Sequence, residues 1–193
     1  QFYPQIARAT ADLLKRYGEK IAVNDVNFNV HRGEIFGFLG PNGAGKTTTI
    51  KMLAGLFAPS SGRAFLGGRD IQEDPVGAKK LLGYIPDFPF LYEKLTGWEF
   101  LSFVAGIYGL PERETPGLIR HELERLDLAD LAGTLIEGYS HGYRQRLAFA
   151  AAFLHRPRIL IIDEPMVGLD PRSARLIKDL LRERALRGET VFM

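Results

Sequence analysis

Gly40-Pro41-Asn42-Gly43-Ala44-Gly45-Lys46-Thr47 decides the fold. The stretch fills every fixed place of G-x-x-x-x-G-K-[ST]. Before it, Ile35 to Leu39 is a continuous apolar run, the pattern of a strand covered on both faces, as in a parallel sheet. After it, Lys46 to Phe57 reads as a helix. Strand, glycine loop, helix is the order in which such a loop works. Glycines let backbone N–H groups turn toward a phosphate chain, and the helix start adds partial positive charge. Lys46 then reaches β- and γ-phosphates, and the Thr47 hydroxyl ligates Mg²⁺. Asn42, Gly43, Ala44, Gly45, Lys46, Thr47 and Thr48 are the expected cradle of a nucleoside triphosphate.

Working outward, Ile159-Leu160-Ile161-Ile162-Asp163-Glu164-Pro165 is an apolar strand that ends in two carboxylates. Asp163 is suited to hold Mg²⁺ through water, and Glu164 to orient or deprotonate an attacking water. Beyond them, Asp170 as N-cap and Pro171 as first helical residue start a helix. Leu176, Ile177, Leu180 and Leu181 form its apolar face, and Gly188 stops it. Near the N-terminus Val26, Phe28 and Val30 alternate with Asn27 and Asn29, the period of a half-wet antiparallel edge strand. Leu82 to Pro86 and Thr190 to Met193 read as further strands. From Pro86 to Gly138 helical patterns take over, with Gly97 to Tyr108 and Gly117 to Leu126 as helices, and Tyr143 to His155 follows. The expected fold is α/β: a P-loop NTPase core with a mixed or parallel central sheet, an N-terminal antiparallel β subdomain and an inserted α-helical subdomain.

Composition narrows the function. The 193 residues suit one domain of the usual ~100–200, here residues 1–193, with 1–86 and 156–193 as nucleotide-binding core and 87–155 as helical subdomain. Hydrophobic residues at 46% and charged ones at 25% are globular averages. Zero cysteines exclude a disulfide framework and a thiolate metal site. Lys+Arg 25 against Asp+Glu 23 leaves +2, too even for the basic stripe of a nucleic-acid domain, so no nucleic-acid partner is expected. The nearly apolar stretch Phe100 to Leu110 falls short of the ~20 residues of a spanning helix, and Gln1 to Arg16 lacks a signal-peptide pattern. His31, His121, His141 and His155 show no metal-ligand spacing.

Two further segments narrow the reading. Tyr139-Ser140-His141-Gly142-Tyr143-Arg144-Gln145-Arg146 lies before the carboxylate strand, and Gly168-Leu169-Asp170-Pro171 after it. From about Tyr17 to Met193 this order resembles the nucleotide-binding domain of ATP-binding cassette (ABC) transporters, bacterial exporter branch: Walker A, helical subdomain, signature, Walker B, D-loop. The resemblance implies an ATP-hydrolysing subunit that pairs with a second cassette and drives an integral membrane permease from the cytoplasmic face. It implies that Ser140 and Gly142 meet the γ-phosphate held by the other cassette, that Tyr17 stacks on adenine, and that Asp87, where the family has Gln, contacts Mg²⁺ or its water. The usual signature is Ser-Gly-Gly-Gln, from which His141 and Tyr143 depart. It also implies a switch histidine beyond Met193, so the domain's C-terminal part is expected to lie outside this sequence. A soluble ABC ATPase acting on ribosome or DNA is the alternative.

Aromatics crowd Tyr84 to Tyr108: Tyr84, Phe88, Phe90, Tyr92, Trp98, Phe100, Phe103 and Tyr108. Phe100 and Phe103 share a helix face and suit a core, whereas Phe88, Phe90 and Tyr92 suit a groove for a partner's helix.

Overall fold

The structure is a computed structural model that describes residues 6–164 and 166–193. The first five residues, including part of the leader reading, and Pro165 of the carboxylate motif lie outside the described residues. These divide into two compact units. The first takes the residues up to Tyr84 with Arg158–Asp163 and Arg182–Met193; the second takes Ile85–Pro157 and Glu164–Leu181.

In the first unit, β1 (Ile6–Tyr17), β2 (Lys20–His31), β4 (Ser61–Leu66) and β5 (Arg69–Asp70) form an antiparallel sheet in the order β2-β1-β4-β5. β2 is an edge strand, and Val26, Phe28 and Val30 are more buried than Asn27 and Asn29, as the alternation predicts. β1 was not legible as a strand. Its pairing with β2 shifts register between Thr10 and Leu13, and Asp12 takes φ 50 there. The Asp12 N–H is satisfied by Asn27 Oδ1 at 2.7 Å, so the side chain replaces the missing ladder bond.

A second sheet has the order β3-β8-β7-β6, from β3 (Ile35–Phe36), β8 (Thr190–Phe192), β7 (Ile159–Ile162) and β6 (Leu82–Ile85). β3 and β7 both run parallel to β8. All four residues of β7 are buried, as its apolar run predicts. The Ile35 to Leu39 run behaves differently: strand assignment stops at Phe36 and Leu39 is 92% exposed. β3 is a sheet edge with a three-residue partner, and the last backbone bond between them, from Phe38 N to Met193 O, leaves Leu39 unpaired in the ladder. Only Phe36 and Phe38 turn inward, stacking with Phe28 and Phe192 at centroid distances of 5.4 to 5.7 Å. This aromatic stack anchors the strand that leads into the glycine loop.

Between the sheets lies α1 (Lys46–Leu53), which contributes Ile50, Met52 and Leu53 to a core shared with Leu13, Val23 and Val30 of one sheet and Ile159, Ile161 and Phe192 of the other. The helix ends four residues short of the expected Phe57. Gly55, at φ 67, lets its N–H reach Met52 O and lets Leu56 N–H reach Lys51 O, a Schellman stop. A short helix, α2 (Pro75–Lys80), completes this unit.

The second unit is helical. α3 (Gly97–Ile107) starts with a capping box in which Thr96 accepts from Glu99 N–H and the Glu99 carboxylate accepts from Thr96 N–H. α4 (Thr115–Arg125) follows, then α5 (His141–Phe153), which begins two residues earlier than predicted because Ser140 is its N-cap. α6 (Pro171–Leu186), of which the residues up to Leu181 belong to this unit, is capped by Asp170, whose Oδ1 accepts from Arg172 N–H and Ser173 N–H at 3.0 Å each. Phe100 is buried as expected, but Phe103 is 45% exposed; it meets Tyr92 edge-on at 5.4 Å rather than entering the core.

Candidate nucleotide site

The glycine loop runs from Gly40 to the first turn of α1 in the first unit. Gly43 takes φ 80 and Gly45 φ 87, backbone that turns N–H groups to one side. At Gly45 a second constraint applies: a Cβ would stand 2.3 Å from Ala22 O and 3.2 Å from Val23 Cγ2. The loop is therefore seated directly on the β2 backbone, which only glycine permits. Gly45 is also the N-cap of α1 and offers no side-chain cap, so the helix starts with open amides.

Asn42, Gly43 and Ala44 are exposed and available to a ligand. Lys46 folds over its own loop, its ammonium donating to Gly40 O at 2.5 Å and Pro41 O at 3.0 Å. A phosphate bound in the loop offers that cation a stronger, charged acceptor. Thr47 is exposed and Thr48 half-buried beside it. Asp163 ends β7 in the same unit and is 3% exposed. A hydroxyl and a buried carboxylate are oxygen donors of the kind Mg²⁺ takes, with phosphate and water supplying the rest. Tyr17 ends β1, 48% exposed, with Lys15 Nζ 5.2 Å from its ring centroid.

The other candidate residues lie in the second unit. Asp87 is exposed, and its Oδ1 accepts from Phe88 N–H at 2.8 Å, an ordinary turn contact that leaves its other oxygen available. Ser140 is exposed and accepts from Tyr143 N–H at 3.3 Å. Gly142 approaches the start of α6 so closely that a Cβ would stand 3.3 Å from Asp170 Oδ2 and 3.6 Å from Ser173 Oγ. The Asp170 carboxyl lies below its usual range because the Ser173 side chain and then its amide donate to it, so it is anionic at neutral pH. Glu164 is exposed and takes φ 50. Phe88 and Phe90 are 80% and 83% exposed, and Tyr92 about half. Three ion pairs were not legible in the sequence: Arg172 and Arg146 both reach Asp127 Oδ2, at 3.0 and 3.4 Å, and Arg144 donates to Glu93 Oε1 at 2.5 Å. No spacing rule links partners so far apart in the chain.

Comparisons with known proteins agree on one family. The family model for ABC transporters matches residues 23–167. The chain is 41% identical over 182 residues to the probable multidrug ABC transporter ATP-binding protein YbhF of Escherichia coli (strain K12), covering 94% of this chain and 32% of that protein. It is 39% identical over 180 residues to the linearmycin resistance ATP-binding protein LnrL of Bacillus subtilis (strain 168), covering 93% of this chain and 58% of the relative. The chain thus spans from about a third to three fifths of these curated relatives. Among solved structures, an ATP-binding subunit of an ABC transporter superposes with a TM-score of 0.88 at 34% identity, covering 96% of this chain and 78% of that one. CbiO1 from Clostridium perfringens, part of the ABC transporter complex cbiONQ, gives 0.84 at 29% identity, covering 97% and 77%. No helix among the described residues is long and apolar enough to cross a membrane. Loop, carboxylate strand and signature segment, together with these matches, show that the chain belongs to the ABC transporter family of ATP-binding proteins.

Proposed function

We propose that this chain is the ATP-hydrolysing domain of an ABC exporter, working as one of two cassettes against an integral membrane permease at the cytoplasmic membrane face. The observation that carries the reading is the start of α1, where Gly43, Gly45 and Lys46 present donors and positive charge, the N-cap supplies no side-chain bond and the first turn holds no acidic residue. In this reading Asn42 to Thr48 hold the phosphates of ATP, and Thr47 with Asp163 hold Mg²⁺, which neutralises charge developing on the γ-phosphate. Tyr17 carries adenine, Glu164 aligns and deprotonates water, and Ser140 and Gly142 serve the nucleotide of the partner cassette. For Asp87 this reading keeps the role the resemblance implies, a carboxylate for Mg²⁺ or its water. Relatives named for multidrug transport, linearmycin resistance and Nod factor export support the export direction.

The test is Glu164→Gln in the full-length protein. An amide of nearly equal volume cannot take a proton, so ATP affinity is retained while turnover falls by ~10² or more. Wild-type hydrolysis in that variant removes Glu164 from catalysis. The exposed Phe88, Phe90 and Tyr92 fit an apolar permease helix: Tyr92→Ala lowers permease association in a pull-down and transport in vesicles, with basal hydrolysis unchanged. A fall in melting temperature without an association defect assigns Tyr92 to the fold instead.

A further inference from the structure

The residue after the N-cap of α5 is His141, where the family's signature has glycine. An imidazole in that place needs an occupation of its own. Its ring turns toward the segment that follows Glu164, and Nε2 stands 3.4 Å from the carbonyl oxygen of Val167. A carbonyl only accepts, so a hydrogen bond in that contact requires the tautomer with the proton on Nε2. The same ring closes over Gly168, which takes φ 73; a Cβ there would stand 2.9 Å from Nε2 and 3.1 Å from Cδ2. Val167 in turn donates its N–H to Glu164 O at 3.3 Å. Glu164 itself sits at φ 50, a left-handed conformation that a side-chain-bearing residue keeps only when its surroundings impose it. One residue along, Gly142 meets Asp170 at the far end of the same turn. His141 thus meets the turn at Val167–Gly168, while Gly142 leaves room for little more than a hydrogen beside Asp170, and the His141 contact leads through one backbone bond to Glu164. All of these contacts lie within the second unit.

We infer that His141 is a positioning residue that holds the Glu164 backbone, and with it the direction of the carboxylate, fixed to the start of α5. The inference rests on the catalytic reading of Glu164 proposed above. In this protein a side chain of the signature helix reaches the turn that follows the hydrolytic carboxylate, a contact that a glycine at this place would lack.

The experiment uses the full-length protein. Steady-state kcat and KM, equilibrium ATP affinity and melting temperature are measured for wild type, His141→Ala, His141→Gln, Gly168→Ala, His141→Ala with Gly168→Ala, and Glu164→Gln as reference. His141→Ala lowers kcat about five- to tenfold, the scale of one lost hydrogen bond, with KM, affinity and melting temperature unchanged. His141→Gln restores most of the rate, because its amide N–H reaches the same carbonyl. Gly168→Ala costs less rate in the His141→Ala background than alone, because the added methyl no longer meets a ring. An unchanged kcat in His141→Ala, with Glu164→Gln inactive, overturns the inference alone. Full activity in Glu164→Gln overturns the catalytic reading beneath it. A raised KM at intact kcat makes His141 a nucleotide contact, and a rate loss that tracks melting temperature and is not rescued by Gln makes it packing; either result overturns the positioning role.

Discussion

α1 and α3 begin in opposite ways. Ahead of α1 stands Gly45, left-handed, without a side-chain cap, and the first turn holds no acidic residue. Ahead of α3 stands Thr96 in a full capping box, with the Glu99 carboxylate inside the first turn. Every helix start exposes about four unsatisfied N–H groups and a partial positive charge. At α3 a hydroxyl and a carboxylate of the chain itself occupy that site. At α1 neither a capping side chain nor a first-turn acid does, and a cation is added. The α5 start is intermediate: Ser140 supplies a hydroxyl cap at 3.3 Å, and no acid follows. α4 also starts without a side-chain cap, so it is the combination of an uncapped start with the glycine loop and Lys46 that suits α1 to an anion.

The strongest way to break this contrast is Gly45→Ala. Its Cβ would lie 2.3 Å from the Ala22 carbonyl, and φ 87 is itself strained for alanine. The backbone must move, which disperses the loop amides. ATP binding by equilibrium titration falls below detection, and the melting temperature drops because the β2 contact is lost; near-wild-type affinity shows that loop geometry is not what binds phosphate. Next in size is Lys46→Ala. It removes one charge-assisted phosphate contact worth roughly 1.5–3 kcal/mol, so ATP binds more than tenfold more weakly. Because the Lys46 ammonium donates to carbonyls of its own loop, stability changes little.

The glycine loop was legible because its chemistry is local: each residue acts through backbone or charge at a fixed spacing. Asp170 was legible for the same reason, as an N-cap followed by proline. What escaped was set by partners distant in sequence. The register shift of β1 at Asp12 conceals its strand period, and the amide it frees is satisfied by a cross-strand side chain, Asn27. Leu39 continues an apolar run yet is exposed, because its edge strand runs out of partner. Phe103 shares a helix face with Phe100 yet pairs with Tyr92 near the surface. His141 showed as a departure from the family pattern, but its contact with Val167 is visible only in the fold.

The middle case sharpens the contrast. Ser140→Ala and Thr96→Ala each remove an N-cap hydroxyl, at a cost of ~1 kcal/mol from the usual 0.5–2. Thr96→Ala costs the more of the two, since its hydroxyl bond is part of a reciprocal box. Hydrolysis should divide them the other way: the full-length Ser140→Ala protein loses turnover and the Thr96→Ala protein does not. Thermal melts beside phosphate release separate the two roles, and equal losses of turnover would erase the distinction between a cap and a ligand.

The smallest effect tests whether charge contributes at the filled start. The Glu99 carboxyl accepts from Thr96 N–H at 2.8 Å and from the Thr96 hydroxyl at 2.9 Å, and these bonds hold its pKa below the ordinary glutamate value. A lowered folded-state pKa means that the ionised form is favoured in the folded protein. Its contribution is therefore complete above the unfolded value of about 4.3 and is lost as pH falls through the lower folded value. Glutamine at this place keeps a capping acceptor but carries no charge. The melting-temperature difference between wild type and Glu99→Gln should stay constant from pH 7 down to about 5 and shrink below that. The carboxylate is exposed, so the change is small and is reduced by salt. If the difference is flat across the whole range, the charge at α3 contributes nothing, and only hydroxyl caps distinguish a filled start from an open one.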